Sequence, residues 1–325
     1  MKQPSASSSF HYGVLLTLSM LLVMAGCQKA GPKADRNLPS SVPTIKSDQS
    51  RVTDRQTAPD SPAQQELKDP APAAAEQKAA LVRSKWVGSN GPIDLNDPQQ
   101  RSAADDPLAF LKMCREQYLA KVRDYRCKFH RRESFRATDA EEEQQIEILY
   151  REKPYSVDMR WLKKADHAKR VSYVAGRWER RGRELALIVP KGVLGMLTPV
   201  GVKLDIHGPE MRAASARPID EFGFKKTLDR IIERCEKAAG DPRYGLRFVG
   251  SGELDNRPCY VIERRLPYGD GEGEYPDRLL VIYIDREWLV PTGCFSFADD
   301  GGENPLGSFV TTDVAFNVGL ADSDF

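Results

Sequence analysis

Nucleophilic, metal-assisted and phosphate chemistry each require particular side chains at particular spacings, and few of those spacings occur in this chain. Four histidines are present, His11, His130, His167 and His207, and no two of them stand four apart, the spacing that puts two imidazoles on one helix face for zinc. No Gly-x-Ser-x-Gly elbow, His-Glu-x-x-His pair, phosphate loop or dinucleotide-binding glycine pattern occurs. His130 falls on the polar face of an alternating stretch and reads as a surface residue rather than a general base. Carboxylates are abundant enough to keep a glycosidase-like pair open, yet the run Glu141-Glu142-Glu143 reads as a solvated turn. Asp270-Gly271-Glu272-Gly273-Glu274 is acidic and glycine-rich but lacks the twelve-residue calcium-loop spacing and its closing glutamate, so it reads as a loop. The residues therefore assign no catalytic group, no metal ligand and no cofactor.

The chain has 48 basic and 47 acidic residues and a formal net charge of +1, so it lacks the global field that steers a protein onto nucleic acid. Its basic clusters alternate with acids, as in Arg131-Arg132-Glu133 and Glu179-Arg180-Arg181-Gly182-Arg183-Glu184, a pattern of solvated faces. The apolar run 13–24 is shorter than the roughly 20 residues of a membrane-spanning helix and fits the h-region of a signal peptide. It closes on Leu22-Val23-Met24-Ala25-Gly26-Cys27, which resembles the lipobox read by lipoprotein signal peptidase. That resemblance implies cleavage after Gly26, diacylation of the Cys27 thiol and a lasting membrane anchor, since several acyl chains hold where one binds only marginally. Gln28 stands where an aspartate commonly signals inner-membrane retention, which points to the outer membrane, with the protein facing the periplasm.

Residues 27–104 are rich in Pro, Ala, Ser, Asp, Gln and Lys, a composition that cannot bury enough apolar surface to offset its ordering entropy. They are expected to form a disordered linker with a span on the order of 50 Å. Ala80-Leu81-Val82 and Trp86-Val87 interrupt it and fit either a segment docked on the domain or a patch of the linker, and the linker reading is favoured. The expected organisation is a signal peptide over 1–26, the lipidated cysteine and linker over 27–104, and one globular domain over 105–325. Besides Cys27, five cysteines remain in an oxidising compartment, an odd number that leaves at least one unpaired. Each falls on an apolar face and reads as a small buried hydrophobe. Cys114 and Cys127 are the pair to test for a disulfide, because the helix and the strand after it could run antiparallel.

Asp106 and Pro107 supply a cap and a first turn, and Leu108, Leu111, Tyr118 and Val122 follow at helical spacing. The period then changes to two at Tyr125, Cys127 and Phe129. Further strands are expected at 146–151, 155–162, 169–174, 185–189 and 202–206, a second helix from Pro218 or Ile219 to Ala239, and strands again at 244–249, 259–266, 279–284, 292–297 and 308–316. About ten strands with two helices and no regular alternation argue for an α+β fold built on a large antiparallel sheet.

That order of elements resembles the LolA, LolB and RseB group of envelope proteins. The residues that carry the likeness are Arg151-Glu152-Lys153-Pro154-Tyr155, Tyr283-Ile284-Asp285 before Pro291, and the closing Val310-Thr311-Thr312-Asp313-Val314-Ala315-Phe316-Asn317 with Leu320-Ala321-Asp322 and Phe325. Tyr125-Arg126-Cys127, the Arg-x-x-Pro turn and Arg217-Pro218-Ile219 with Gly223 more narrowly resemble a planctomycete family, the domain of unknown function 1571. The broader resemblance implies a curved sheet forming an incomplete β-barrel, with about two helices packed on or in it and a face that holds acyl chains. A LolA-type shuttle does not fit a chain anchored at Cys27.

The stretch 192–200, Gly-Val-Leu-Gly-Met-Leu-Thr-Pro-Val, is apolar, glycine-broken and without a strand period. It fits a buried crossover or an exposed loop, and the scarcity of large exposed apolar patches favours burial. Under the half-barrel resemblance, Val193, Leu194, Met196 and Leu197 are placed at the mouth of an apolar cavity, with Trp161 within it. Tyr155, Tyr173 and Trp178 could line the same face, although aromatic stripes of this kind usually belong to cores. Three functions follow as expectations. The first is a membrane-anchored module that binds an acyl chain, a lipid or another lipoprotein; the second is an interaction or sensing module with a filled core. The third is an envelope hydrolase with an unrecognised carboxylate site.

Overall fold

The structure, a computed structural model, describes residues 85–133, 143–165, 168–198, 200–215, 217–269 and 275–325. Residues 1–26, where a signal peptide is expected, Cys27, Glu141, Glu142, His167 and residues 270–274 lie outside the described residues. Twelve strands form one antiparallel sheet: β1 Asp124–Glu133, β2 Gln144–Arg151, β3 Ser156–Lys163, β4 Ala168–Val174, β5 Glu179–Arg180, β6 Arg183–Pro190, β7 Val202–Asp205, β8 Gly245–Leu254, β9 Arg257–Arg265, β10 Leu279–Asp285, β11 Pro291–Phe297 and β12 Pro305–Phe316. Their order is β5-β6-β4-β3-β2-β1-β12-β11-β10-β9-β8, with β7 paired to β6, so the sheet is open and joins its two halves where β1 meets β12. Register shifts in β1, β8, β10 and β11 mark the bulges that bend such strands.

Two long helices cover one face, as expected. The first, α2 Pro107–Lys121, starts where Asp106 accepts hydrogen bonds from the Leu108 and Ala109 amides. The second, α5 Phe224–Ala238, buries Phe224, Leu228, Ile231, Ile232, Cys235 and Ala238, a stripe at helical spacing. Three short helices were not expected: α1 Pro98–Asp105, α3 Gly192–Leu197 and α4 Pro209–Ala214. The second helix also begins later than its sequence pattern implies, because a 3-10 turn at Ile219–Glu221 ends before Gly223, where the chain turns at φ +112°. A Cβ on Gly223 would meet the Tyr150 ring at 2.8 Å, so only glycine lets α5 enter this close to the sheet.

The helix face holds two clusters. Leu111, Cys114, Leu228, Ile232, Ile262 and Ile282 form one over β8–β11, and Tyr118, Tyr125, Cys127, Ile148, Tyr150 and Phe224 belong to the other over β1–β6. A third cluster lies on the opposite face, where Leu279, Val281, Tyr283, Phe295, Phe297 and Val310 pack with Trp86 and Val87. Every residue of β10 and β11 is buried, which is why β10 reads as a continuous apolar run from Leu279 to Ile284 rather than an alternating one, while β11 buries Thr292 and Ser296 among its apolar residues.

The linker expectation needs correction at its C-terminal end. Residues 85–91 run antiparallel to the edge strand β8, with bridges Val87–Leu254 and Gly91–Ser251, where the Gly88 and Gly91 N–H groups donate to the Glu253 and Ser251 carbonyls. Helix α1 follows, capped by Asp97. Described structure therefore begins at residue 85 and not at 105, because Trp86 and Val87 dock on the domain and satisfy the unpaired groups of β8. The cysteine pair is corrected too: Cys114 and Cys127 are free thiols that belong to different clusters.

Candidate functional site

Within the segment 192–200, Gly192–Leu197 folds as a short helix that projects from the end of β6, and Pro199 lies outside the described residues. Gly192 turns the chain at φ +73°, and a Cβ on Gly195 would stand 2.2 Å from the Pro190 carbonyl oxygen, so glycine alone allows α3 to fold back against that strand end. The helix is exposed rather than buried, which overturns the crossover expectation. Val193, Met196, Leu197 and Val200 are 73%, 79%, 69% and 82% exposed, the highest values among the exposed large hydrophobics of the described residues. A buried crossover would need elements packed over it, and here the chain leaves the sheet edge and returns as β7. The side chain of Leu194 lies outside the described residues. Exposed Lys191 precedes the helix and donates to the Ala165 carbonyl at 2.7 Å, and exposed Lys169 follows Ala168, which pairs with Pro190 at the end of β6.

Trp161 does not join this group. It stands on β3, separated from β6 by β4, packs against the helix-face cluster and donates from Nε1 to Gln144 Oε1 at 3.2 Å. Of the other aromatics expected on that face, Tyr155 and Tyr173 belong to a packed aromatic array, and Trp178 lies under Arg177 and Lys203. Tyr125 stacks on Tyr150 with ring centroids 4.6 Å apart, Phe224 lies 4.8 Å from Tyr125, and Tyr155 meets Tyr150 edge-on at 5.5 Å. Tyr118 and Tyr150 both donate to Glu152 Oε1, at 2.7 and 3.0 Å, and Tyr155 donates to the Ile219 and Phe222 carbonyls at 2.9 Å each. Burial first, and the Glu152 carboxylate second, hold the Tyr150 hydroxyl far above the ordinary tyrosine range, so it acts as a fixed donor. The Arg151–Tyr155 turn and the Arg217–Gly223 motif thus meet at one joint that fixes α5 on the sheet, a structural use for both motifs.

His130 is also corrected. It is buried on the face opposite the helices, 6% exposed, with Nδ1 3.3 Å from Glu143 Oε1, Nε2 3.0 Å from Thr312 Oγ1 and the Trp86 ring 4.4 Å away. Lys85 pairs with the same carboxylate at 2.9 Å. A hydroxyl, an imidazole and a carboxylate stand in line, but Thr312 is itself 6% exposed and sits inside β12. The line ties the docked segment 85–87 to the sheet. Burial holds the imidazole below its ordinary pKa in spite of Glu143. Burial likewise pushes the Cys114 and Cys259 thiols up to about 12, which disfavours thiolate chemistry. Among the described residues no group of three His, Cys, Asp or Glu side chains could hold a metal ion.

The chain is similar to several solved structures. An uncharacterised conserved protein from Thermus thermophilus is 11% identical, with a TM-score of 0.37 over 67% of this chain and 92% of that one. A DUF1329 family protein from Desulfovibrio piger is 11% identical, with a TM-score of 0.32 over 66% and 96%. A LolA superfamily protein from Nitrosomonas europaea is 9% identical, with a TM-score of 0.29 over 66% and 96%. No curated protein matches the sequence. The family described as a protein of unknown function, DUF1571, matches residues 122–325, from the end of α2 through every strand to Phe325, and the chain belongs to that family.

Proposed function

We propose that this chain is a lipid-anchored protein of the bacterial cell envelope whose folded domain binds an acyl chain, of a lipid or of another lipoprotein, at the exposed helix α3 rather than in an interior cavity. The observation that carries the reading is the exposure of Val193, Met196, Leu197 and Val200 together on one short projecting segment. Contiguous apolar patches are uncommon on monomeric soluble proteins and mark contact sites. The exposed lysines at 169 and 191, beside the end of β6 from which α3 projects, suit the anionic headgroups that border acyl chains. No helix of the described residues is long and apolar enough to cross a membrane. Cys27 would supply the anchor, the linker its reach, and Gln28 favours the outer membrane. The reading gives the domain no reaction to catalyse.

The test is a titration of the soluble chain, starting at residue 28, with a fluorescent fatty-acid probe. Met196→Ser with Leu197→Ser should weaken binding strongly while costing under about 1 kcal/mol each in stability, because little of either side chain is buried. Equal probe binding by parent and variant, or no saturable binding by the parent, overturns the reading; capture of a protein partner by the same patch with no probe binding also counts against it.

A further inference from the structure

The hairpin of β5 and β6 and the neighbouring strand β7 form a groove of about 400 Å³ in which Arg180, Arg181, Arg183 and Lys203 stand around Leu185 with one carboxylate, Asp205. Arg180 lies directly opposite Arg183 in the ladder, an arrangement that costs stability between like charges. The same sheet shows how such a pair is normally settled. Arg160 and Arg170 also face each other, across β3 and β4, and there the wholly buried Asp158 sits between them, 2.9 Å from Arg160 Nε and 2.5 Å from Arg170 Nε. Among the described residues no carboxylate is shared by Arg180 and Arg183 in that way. Asp205 pairs with Arg183 Nη1 alone, at a long 3.4 Å, and Glu184 is turned away to the Tyr173 hydroxyl and the Gly176 amide. Arg181 holds the hairpin turn at φ +54°, where asparagine or glycine is less strained, so a third guanidinium is kept at the rim against backbone preference. Lys203 lies 5.0 Å over the Trp178 ring and completes the wall.

We propose that this groove binds a phosphate group, held between Arg180 and Arg183 as Asp158 is held between Arg160 and Arg170. Guanidinium forks match phosphate oxygens in pairs, and Lys203 adds a point charge. The site is separate from the apolar helix α3 and stands on its own observations. The phosphate could belong to a phospholipid headgroup or to a soluble phosphate, and both present the same oxygens to the arginines.

Calorimetric titration and thermal melting of the full chain in neutral detergent test this, with inorganic phosphate in one arm and glycerophosphoglycerol, the deacylated headgroup of phosphatidylglycerol, in the other. Chloride keeps the ionic strength constant. The parent should bind saturably and melt higher with anion, Arg180→Gln with Arg183→Gln should weaken binding by roughly tenfold or more for each arginine, and Asp205→Asn should tighten it. Without anion the double variant should melt no lower than the parent, which separates loss of binding from loss of fold. Binding of glycerophosphoglycerol supports the site and assigns it to lipid headgroups; binding of inorganic phosphate alone supports it and assigns it to soluble phosphate. No saturable binding of either, or undiminished binding by the double variant, overturns the proposal.

Discussion

Replacing Asp277 by asparagine should be among the most destabilising single changes in the domain. Arg264 on β9 is 2% exposed and faces the helix side, where its Nη2 donates to Asp277 Oδ1 at 2.7 Å; the two side chains are 2% and 5% exposed. Its Nε has no hydrogen-bond partner, so the aspartate is the main compensation for a guanidinium taken out of water. Asp277→Asn keeps the shape and removes the charge, which leaves an uncompensated buried cation and should cost about 3–5 kcal/mol. For a domain of this size that corresponds to a fall in melting temperature of roughly 6–20 °C, at about 2–4 °C per kcal/mol. Removing both charges is a different perturbation. Arg264→Met with Asp277→Leu replaces the pair by apolar groups of similar volume and should recover most of the loss, because an intact buried pair adds little net stability. Urea denaturation of the three proteins measures this. A cost under about 1 kcal/mol for Asp277→Asn, or a double variant as unstable as the single one, refutes the reasoning.

Other outcomes follow from the docked segment, the joint, the histidine and the anchor. Limited proteolysis should stop just before residue 85, and Trp86→Ala should move the cut toward α1; protection reaching residues 40–75 contradicts the assignment. Gly223→Ala should destabilise by several kcal/mol, since the left-handed backbone and the Tyr150 ring both oppose a Cβ, whereas Gly176→Ala, with open space around it, should cost only the backbone strain, about 1–2 kcal/mol. The folded pKa of His130 lies below its unfolded value near 6.5, so the unfolded chain binds the extra proton first. Its contribution to stability is therefore complete above about pH 6.5 and is lost as the pH falls from there through the folded pKa, and His130→Gln should remove that part of the slope. Cys27→Ser should leave the precursor unlipidated and uncleaved, and fatty-acid labelling of the variant equal to the parent would falsify the anchor.

Much of the fold was legible because one-sided burial writes a period into the chain. The alternation at Tyr125, Cys127 and Phe129 and the stripe from Leu228 to Ala238 each record contact with one covered face. Asp106 and Pro107 marked the start of α2 correctly because capping is a local interaction. What depended on distant partners was not legible. The docking of Trp86 on His130 joins residues 44 positions apart in sequence, and neither residue alone distinguishes a covered face from a solvated one. The exposure of Val193, Met196, Leu197 and Val200 was not legible for a related reason: an apolar segment carries no record of whether anything covers it, so the frequency of buried segments weighs against what the structure shows. Trp161 looked like a ligand contact beside those residues in sequence reasoning, but β4 separates the two in the sheet.

The account turns on whether α3 meets acyl chains, and one measurement addresses that contact itself. Met196→Trp places an indole at the position that is 79% exposed, and its emission, taken as the difference from the parent, can be followed in phosphatidylglycerol vesicles whose acyl chains carry bromine. Bromine quenches only an indole that reaches the hydrocarbon. The account predicts strong quenching of the added emission by brominated lipid and none by the unbrominated lipid. An added indole that remains unquenched while the chain is vesicle-bound through Cys27 would contradict it.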